Sequence, residues 1–362
     1  MGDKTNIEWT DATWNPIIGC SRVGPGCDHC YAIGVVHREM SPQHVGLTVK
    51  PEGERTDWTG EVRPAGERKL TEPLRWTKPR RIFVNSLSDL FHADLPDDEI
   101  AKVFAVMALA PQHTFQVLTK RPQRMAGWLL EDFIGETAQH RVQDMITHLT
   151  RVWGWKRPVI FDPRMANPDA STPRGRLADD PNYERRVPLT WPLPNVHLGV
   201  SIENDTYSWR ANWLRDTPAA VRFISAEPLL GPLPSLDLTG IDWLIVGGES
   251  GPGARPMHPD WVRDLRDRSG RQPIVRVGGD YPNHDDKATY GPAFLFKQWG
   301  DWAQAGRGIG MARSSEGREV LVGEPDDDGC RTVMRRVGKK AAGRELDGRT
   351  WDEAPVTIGA AT

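Results

Sequence analysis

The sequence predicts an α/β protein built as a full or partial parallel (β/α) barrel of about six to seven strands, interrupted by loop insertions. Three observations predict it. Short apolar runs of strand length alternate with amphipathic stretches of helix length along most of the chain, an order that calls for a parallel sheet with helices outside, joined by right-handed crossovers. Each apolar run turns polar at its C-terminal end, and in a parallel barrel those ends share one face. No Gly-x-Gly-x-x-Gly turn follows the first run, which removes the main argument for a doubly wound sheet.

Trp14 to Ile18 supplies the first strand, directly ahead of a glycine-rich loop that runs from Gly19 to Cys30. Arg81 to Ser86 reads as a buried second strand. Asp97 and Asp98 are expected to cap a helix whose Ile100, Val103, Phe104 and Met107 share one face before Pro111. Thr114 to Thr119 is the next strand, after which Pro122 opens a helix with Met125, Trp128 and Leu129 turned inward. Val196 to Ser201 leads into a helix carrying Trp209 and Trp213, whose i, i+4 spacing predicts that both are buried against the sheet. Val221 to Ser225, Ile241 to Val246, a helix from Pro259 to Arg268, and Ala293 to Lys297 complete the rhythm. Residues 41–80 and 155–195 break it, being rich in turn residues without a sustained period, and are expected to be insertions or lids. The barrel is therefore expected over residues 1–300, with a C-terminal extension over residues 301–362.

The four cysteines are unevenly spread: Cys20, Cys27 and Cys30 share one short loop, and Cys330 stands apart. Three thiols on a Cys-x6-Cys-x2-Cys spacing suit a cubane iron-sulfur cluster with one iron left open for chemistry. A structural zinc that adds His29 or His37 also satisfies the ligand rules, and unliganded thiols remain the third reading. Disulfides do not fit, since the loop would keep an odd thiol and the N-terminus shows no hydrophobic signal core. No apolar run reaches membrane-spanning length, so the expectation is a soluble, cytoplasmic protein with no membrane partner. A net charge of −3 argues against a wholly basic nucleic-acid binder. The charge is segregated, however: Arg331, Arg335, Arg336, Lys339, Lys340, Arg344 and Arg349 crowd the C-terminal stretch, where a patch for a polyanion such as DNA is expected. Most of the 15 tryptophans are expected to be packing residues.

The polar strand ends supply the remaining candidates. They are Asn85, Ser86, Ser88 and Asp89; Ser201 and Glu203; Glu227; Gly247, Gly248 and Glu249; and Lys297. Carboxylates such as Glu203, Glu227 and Glu249 placed directly after apolar strands are costly to bury without a partner or a ligand. Gly247 and Gly248 would let a ligand approach the backbone, with Glu249 accepting from an ammonium or a ribose.

Ile7 to Pro16, the cysteine loop through Tyr31-Ala32, Phe223 to Pro232, Val246 to Pro252, Lys297 to Gly300 and Leu346 to Trp351 together resemble the phage-associated family labelled gp thirty-seven / gp sixty-eight. That family is similar to the radical S-adenosylmethionine superfamily, in particular its spore photoproduct lyase branch. The resemblance implies a [4Fe-4S] cluster on Cys20, Cys27 and Cys30 whose open iron takes the amino and carboxylate groups of S-adenosylmethionine, together with an external electron donor. It implies that Ser86, Ser88 and Asp89, in the Asn85 to Asp89 turn, accept from the methionyl amine, and that Ser201 and Glu203 serve the ribose or carboxylate. It also raises Cys330 as a catalytic hydrogen-atom donor. The sequence departs from the superfamily in its six-residue first gap, where three is commonest, and in placing His29 before the third cysteine instead of an aromatic residue. The implied function is a radical enzyme that modifies or repairs nucleic acid or a nucleotide; the alternative is a non-catalytic metal-binding protein that binds nucleic acid or a protein partner.

Overall fold

In the computed structural model, which describes residues 5–38, 41–130, 137–152, 160–161, 187–270, 291–309 and 318–355, the centre of the molecule is a seven-stranded sheet. Its strands are β1 (Ala12–Trp14), β2 (Arg81–Val84), β3 (Thr114–Thr119), β4 (Val196–Ser201), β5 (Val221–Ala226), β6 (Trp243–Gly247) and β7 (Ala293–Gln298). They neighbour one another in sequence order, and every pairing is parallel. Sequential order is that of a barrel wall, whereas a doubly wound sheet reverses direction part-way. Because β1 and β7 do not pair, the wall is a half-barrel open along one side.

Both faces of the sheet are apolar, as parallel strands covered on two sides require. Ile82, Val84, Phe115, Val117, Leu198, Val200, Ile224, Leu244, Val246, Phe294 and Phe296 point outward into the main core. Their neighbours Phe83, Leu118, Phe223, Trp243, Ile245 and Leu295 point inward, where Trp9 completes the cluster. The Trp9 ring lies 4.7 Å from Phe83, 6.1 Å from Phe223 and 6.3 Å from Trp243. Gln116 donates to the Trp9 carbonyl at 3.1 Å. The N-terminal segment thus fills the inside of the open wall.

A short helix, α1 (Tyr31–His37), follows the cysteine loop. Outside the wall, α2 (Asp97–Leu109), α3 (Pro122–Leu130), α5 (Arg210–Asp216) and α6 (Pro259–Arg268) follow β2, β3, β4 and β6. A further helix, α4 (Ala138–Val152), packs on α2. It was not expected, although its buried Ala138, Val142, Ile146 and Leu149 keep helical spacing. Asp97 and Asp98 do not cap α2. Pro96 takes that position, and the two acids with Glu99 form the first turn, where the helix dipole favours them. The expected first strand is split: β1 ends at Trp14, and after Pro16 the pair Ile17–Ile18 turns away to an antiparallel ladder with Arg63–Pro64.

Trp209 and Trp213 are exposed, at 38% and 40%, against the expectation of burial. Arg210, Ala211 and Leu214 are the residues that α5 buries, because a buried carboxylate on the barrel side claims the arginine. Most of the expected insertion at residues 155–195 lies outside the described residues. Residues 41–80 fold as short ladders and helical turns, and Leu47, Trp58 and Ala65 pack with Ile18, Ala32, Ile33, Val36 and Leu87 against the cysteine loop.

The C-terminal extension has two tasks. β8 (Trp302–Gly308), β9 (Glu319–Val322) and β10 (Arg331–Arg336) form a small antiparallel sheet in the order β8-β10-β9. Trp302 and Met334 of that sheet pack on Ala254, and Trp302 Nε1 donates to the Ala254 carbonyl at 2.8 Å. Farther on, the chain runs antiparallel along the free edge of β7: Phe296 N donates to Trp351 O at 2.9 Å and Glu353 N donates to Phe294 O at 3.2 Å. This covers the edge that an open wall exposes. Among the described residues no helix is long and apolar enough to cross a membrane.

The inner cluster gives a stability test. Trp9 is 2% exposed, and its Nε1 has no hydrogen-bond partner among the described residues. Trp9→Ala is expected to cost about 3–5 kcal/mol through the cavity it leaves. Trp9→Phe, which removes the unsatisfied N–H and keeps a ring, is expected to cost less than about 1.5 kcal/mol. Urea midpoints at constant m value check both.

Candidate active site

The three loop cysteines open onto a cavity of about 560 Å³ at the C-terminal end of the strands. Asn85, Ser86, Ser88 and Asp89 line it from the end of β2. Ser201, Glu227, Gly248, Glu249 and Lys297 line it from β4 to β7. Trp9, Phe83 and Leu118 give it an apolar floor inside the wall. Glu203 and Gly247 are not in the lining: Glu203 lies behind the cysteine loop, and Gly247 backs onto the Glu227 carboxylate. Cys330 is elsewhere, lining a separate depression with His258, Arg307 and Asp326. That position is incompatible with hydrogen-atom donation inside the cysteine cavity.

Charged side chains fasten the loop to the barrel from three directions. At the end of β4, Glu203 is fully buried and accepts from Lys120 Nζ, and from Arg210 Nη1 at 3.0 Å. Arg210 also donates to the Ser201 carbonyl at 2.7 Å and lies 4.2 Å over the Tyr207 ring. Gly26 rests on this carboxylate; a Cβ there would stand 2.4 Å from Glu203 Cγ. A buried charge is tolerable only with such partners. Glu203 is therefore spent on protein contacts and is not free to serve a ribose.

Asp89 is likewise occupied. Its carboxylate accepts from Thr119 Oγ1 at 2.7 Å, Arg121 Nη1 at 2.9 Å, Phe91 N at 3.0 Å and Lys120 N at 3.1 Å, which fills the acceptor capacity of a carboxylate. From there Arg121 reaches the loop, donating to the Ser21 hydroxyl at 2.8 Å and to its carbonyl at 3.0 Å. On the opposite side Arg255 grips Glu249 with Nε at 2.8 Å and Nη2 at 2.6 Å, while also donating to Pro25 O at 2.8 Å and Asp28 at 3.1 Å. Composition and spacing gave no reason to single out Arg210 or Arg255. The signal was the cost of the carboxylates, which demanded cations from somewhere.

The glycine pair after β6 has a structural duty. A Cβ at Gly248 would fall 2.1 Å from the Trp299 carbonyl, so a close backbone approach already requires glycine there, and Gly248 lines the cavity as well. Ser88 Oγ donates to Ile17 O at 2.8 Å, and Asn15 Oδ1 accepts from Leu87 N at 2.8 Å, with Ser86 Oγ 3.2 Å away. These bonds stitch β1 to the turn after β2. Asn85 adopts φ 59° in that turn and is 2% exposed. Its Nδ2 is buried on the cavity side of the fold without a hydrogen-bond partner among the described residues. Glu227 and Lys297 form an ion pair at 2.6 Å across the cavity wall.

Burial pushes the Cys20 thiol up to about 12; the Asp89 charge adds to this, and Arg121 partly offsets it. Burial also raises the Cys30 thiol. Burial and then the Arg121 charge hold the His92 imidazole below its ordinary range. A neutral ring fits its bonds, with Nδ1 accepting from Asp94 N at 3.3 Å and Nε2 set 2.8 Å from Ser21 Oγ. Among the described residues, no three His, Cys, Asp or Glu side chains converge closely enough to hold a metal ion. The three thiols face one cavity without meeting at a point.

The chain belongs to the family described as Protein of unknown function (DUF5131), whose match spans residues 4–275 and 283–355. No curated protein and no solved structure matches it.

Two outcomes follow from this geometry. Gly26→Ala is expected to cost about 1–3 kcal/mol, because the methyl group displaces a buried ion pair, and to speed alkylation of the loop cysteines by iodoacetamide. The thiol shift gives a pH dependence. An unfolded Cys20 ionises near 9.0 and the folded thiol near 12, so between those values the unfolded chain has lost a proton that the folded chain retains. The metal-free protein should lose stability as pH rises through that window and gain none from this group below it. Urea midpoints at about pH 8 and pH 10 should diverge less in Cys20→Ser than in the wild type.

Proposed function

We propose that the cavity is the active site of an iron-sulfur, S-adenosylmethionine-dependent radical enzyme acting on a nucleotide or a nucleic-acid base. The observation that carries the reading is the meeting of three thiols and the ends of six strands, β2 to β7, at one cavity on the C-terminal face of a parallel half-barrel. Catalytic groups collect on that face in such folds.

What supports both groups is the donor chemistry of the lining, three thiols beside amide, hydroxyl and carboxylate groups. A single zinc ion needs four donors at bonding distance of one point, and the described donors do not converge in that way. A cubane accepts sulfurs that stand apart, because each binds a different iron. Cys20, Cys27 and Cys30 would hold it. The oxygens of Ser86, Ser88 and Glu227, which line the cavity, can accept from the ammonium of S-adenosylmethionine. Ser201 and Glu249 lie on the same lining. When bound, the pair supplies one-electron reductive cleavage of the sulfonium and hence hydrogen abstraction from a substrate. Trp9, Phe83 and Leu118 make part of the lining apolar.

The substrate reading rests on the resemblance to the lyase branch. The C-terminal cations lend it little. Arg335 pairs with Glu319, Arg336 with Asp301, Lys339 with Glu8 and Arg344 with Asp352, while Arg349 lies 3.7 Å over Trp351. The patch expected to attract DNA phosphates is largely neutralised by the protein's own acids.

Anaerobic reconstitution tests the function. The expected result is about four irons and four sulfides per chain, with reductant-dependent release of 5'-deoxyadenosine from S-adenosylmethionine. Alanine at Cys20, Cys27 or Cys30 should abolish the cluster, and Cys330→Ala should leave it intact. Stoichiometric zinc without sulfide would favour the alternative, a non-catalytic metal-binding protein.

A further inference from the structure

One cysteine of the loop differs from the other two. Arg121 Nη1 lies 3.7 Å from Cys20 Sγ and, on its other side, 2.9 Å from Asp89 Oδ2. Its Nη2 is fixed by both oxygens of Ser21, at 2.8 Å and 3.0 Å. The side chain is only 11% exposed and Asp89 only 7%, so the pair acts across a medium that screens poorly. No other described cysteine sulfur receives a hydrogen bond from a cationic side chain.

The geometry points to Arg121 as a positioning residue that sets the reduction potential of the cluster through the Cys20 sulfur. The inference rests on the proposed [4Fe-4S] reading. A cation that hydrogen-bonds a ligand sulfur favours the more negative, reduced state of a cluster, and hydrogen bonds to sulfur are among the levers a protein has on that potential. Asp89 limits the effect by sharing the guanidinium, and it holds that guanidinium in register with the loop. Arginine suits the task because its planar fork spans Asp89, Ser21 and Cys20 together, which an ammonium cannot do.

The test is a mediated redox titration of reconstituted wild type, Arg121→Met and Arg121→Lys, followed by electron paramagnetic resonance, with iron and sulfide counted in each sample. Arg215→Gln, on the outer helix α5, is the control. Arg121→Met is expected to load its cluster and to be about tenfold harder to reduce, a fall of about 59 mV for one electron. Arg121→Lys should lie between it and wild type, and the control should match wild type. A fully loaded Arg121→Met with an unchanged potential overturns this inference and leaves the proposed function standing. Loss of the cluster from both Arg121 variants also overturns it, because the arginine would then be a strut for the loop. Wild type that takes up no cluster overturns the function itself and this inference with it.

Discussion

The buried Glu203 carboxylate is the constraint from which the rest of the site follows. It is fully buried at the end of β4, where an isolated charge could not persist, so it draws Lys120 from the end of β3 and Arg210 from α5. Three neighbouring elements are thereby locked at one point on the barrel mouth. The cysteine loop sits on that point through Gly26, and Tyr207, which stacks on Arg210, also contacts the loop at Gly24. Removing one partner would leave a buried charge uncompensated and would loosen the seat of the thiols at the same time. The same logic explains why α5 buries an arginine and exposes two tryptophans.

Around this seat the loop is held like a keystone between two arginines. Arg121 ties Ser21 to Asp89 on one side, and Arg255 ties Pro25 and Asp28 to Glu249 on the other. Each arginine is itself braced by a carboxylate that ends or follows a strand. The brace on the Arg255 side continues outward, because Trp302 and Met334 of the small C-terminal sheet pack on the adjoining Ala254. The extension therefore supports the mouth of the barrel from a distance.

Much of this was legible from the sequence, for identifiable reasons. Strand positions were clear because both faces of a parallel sheet are apolar, so Ile82 to Val84 and Trp243 to Val246 stand out as uninterrupted runs. The polar strand ends were clear too, since chemistry changes abruptly at Asn85, Ser201 and Gly247. The division of labour among them was not. Whether a carboxylate faces a ligand or an arginine depends on partners far away in the chain, such as Glu249 with Arg255 and Asp28, or Asp89 with Arg121. The pairing of the C-terminal cations was hidden for the same reason, because Glu319, Asp301, Glu8 and Asp352 meet four of them only in the fold. The helix Ala138–Val152 was missed although its spacing was present, because its polar exterior and the turn-rich stretch after it hid the period.

The arrangement of spent and unspent polar groups bears on the choice between an enzyme and a scaffold. A metal that only tied the loop down would need the thiols and nothing beyond them, and Arg121, Arg255 and Glu203 already restrain the loop. What such a scaffold leaves unexplained is the space beside the thiols, with Asn85 Nδ2 buried without a hydrogen-bond partner among the described residues, the Glu227–Lys297 pair on its wall and Trp9 and Phe83 in its lining. Buried polar groups without partners cost free energy that a folded protein does not spend idly. Asn85 also holds φ 59°, a conformation uncommon for residues other than glycine, and strained residues of this kind gather at ligand clamps. Trp9 Nε1, in the lining of the same cavity, is a second buried donor without a partner among the described residues, so this side of the half-barrel holds polar groups that the paired carboxylates around it do not satisfy.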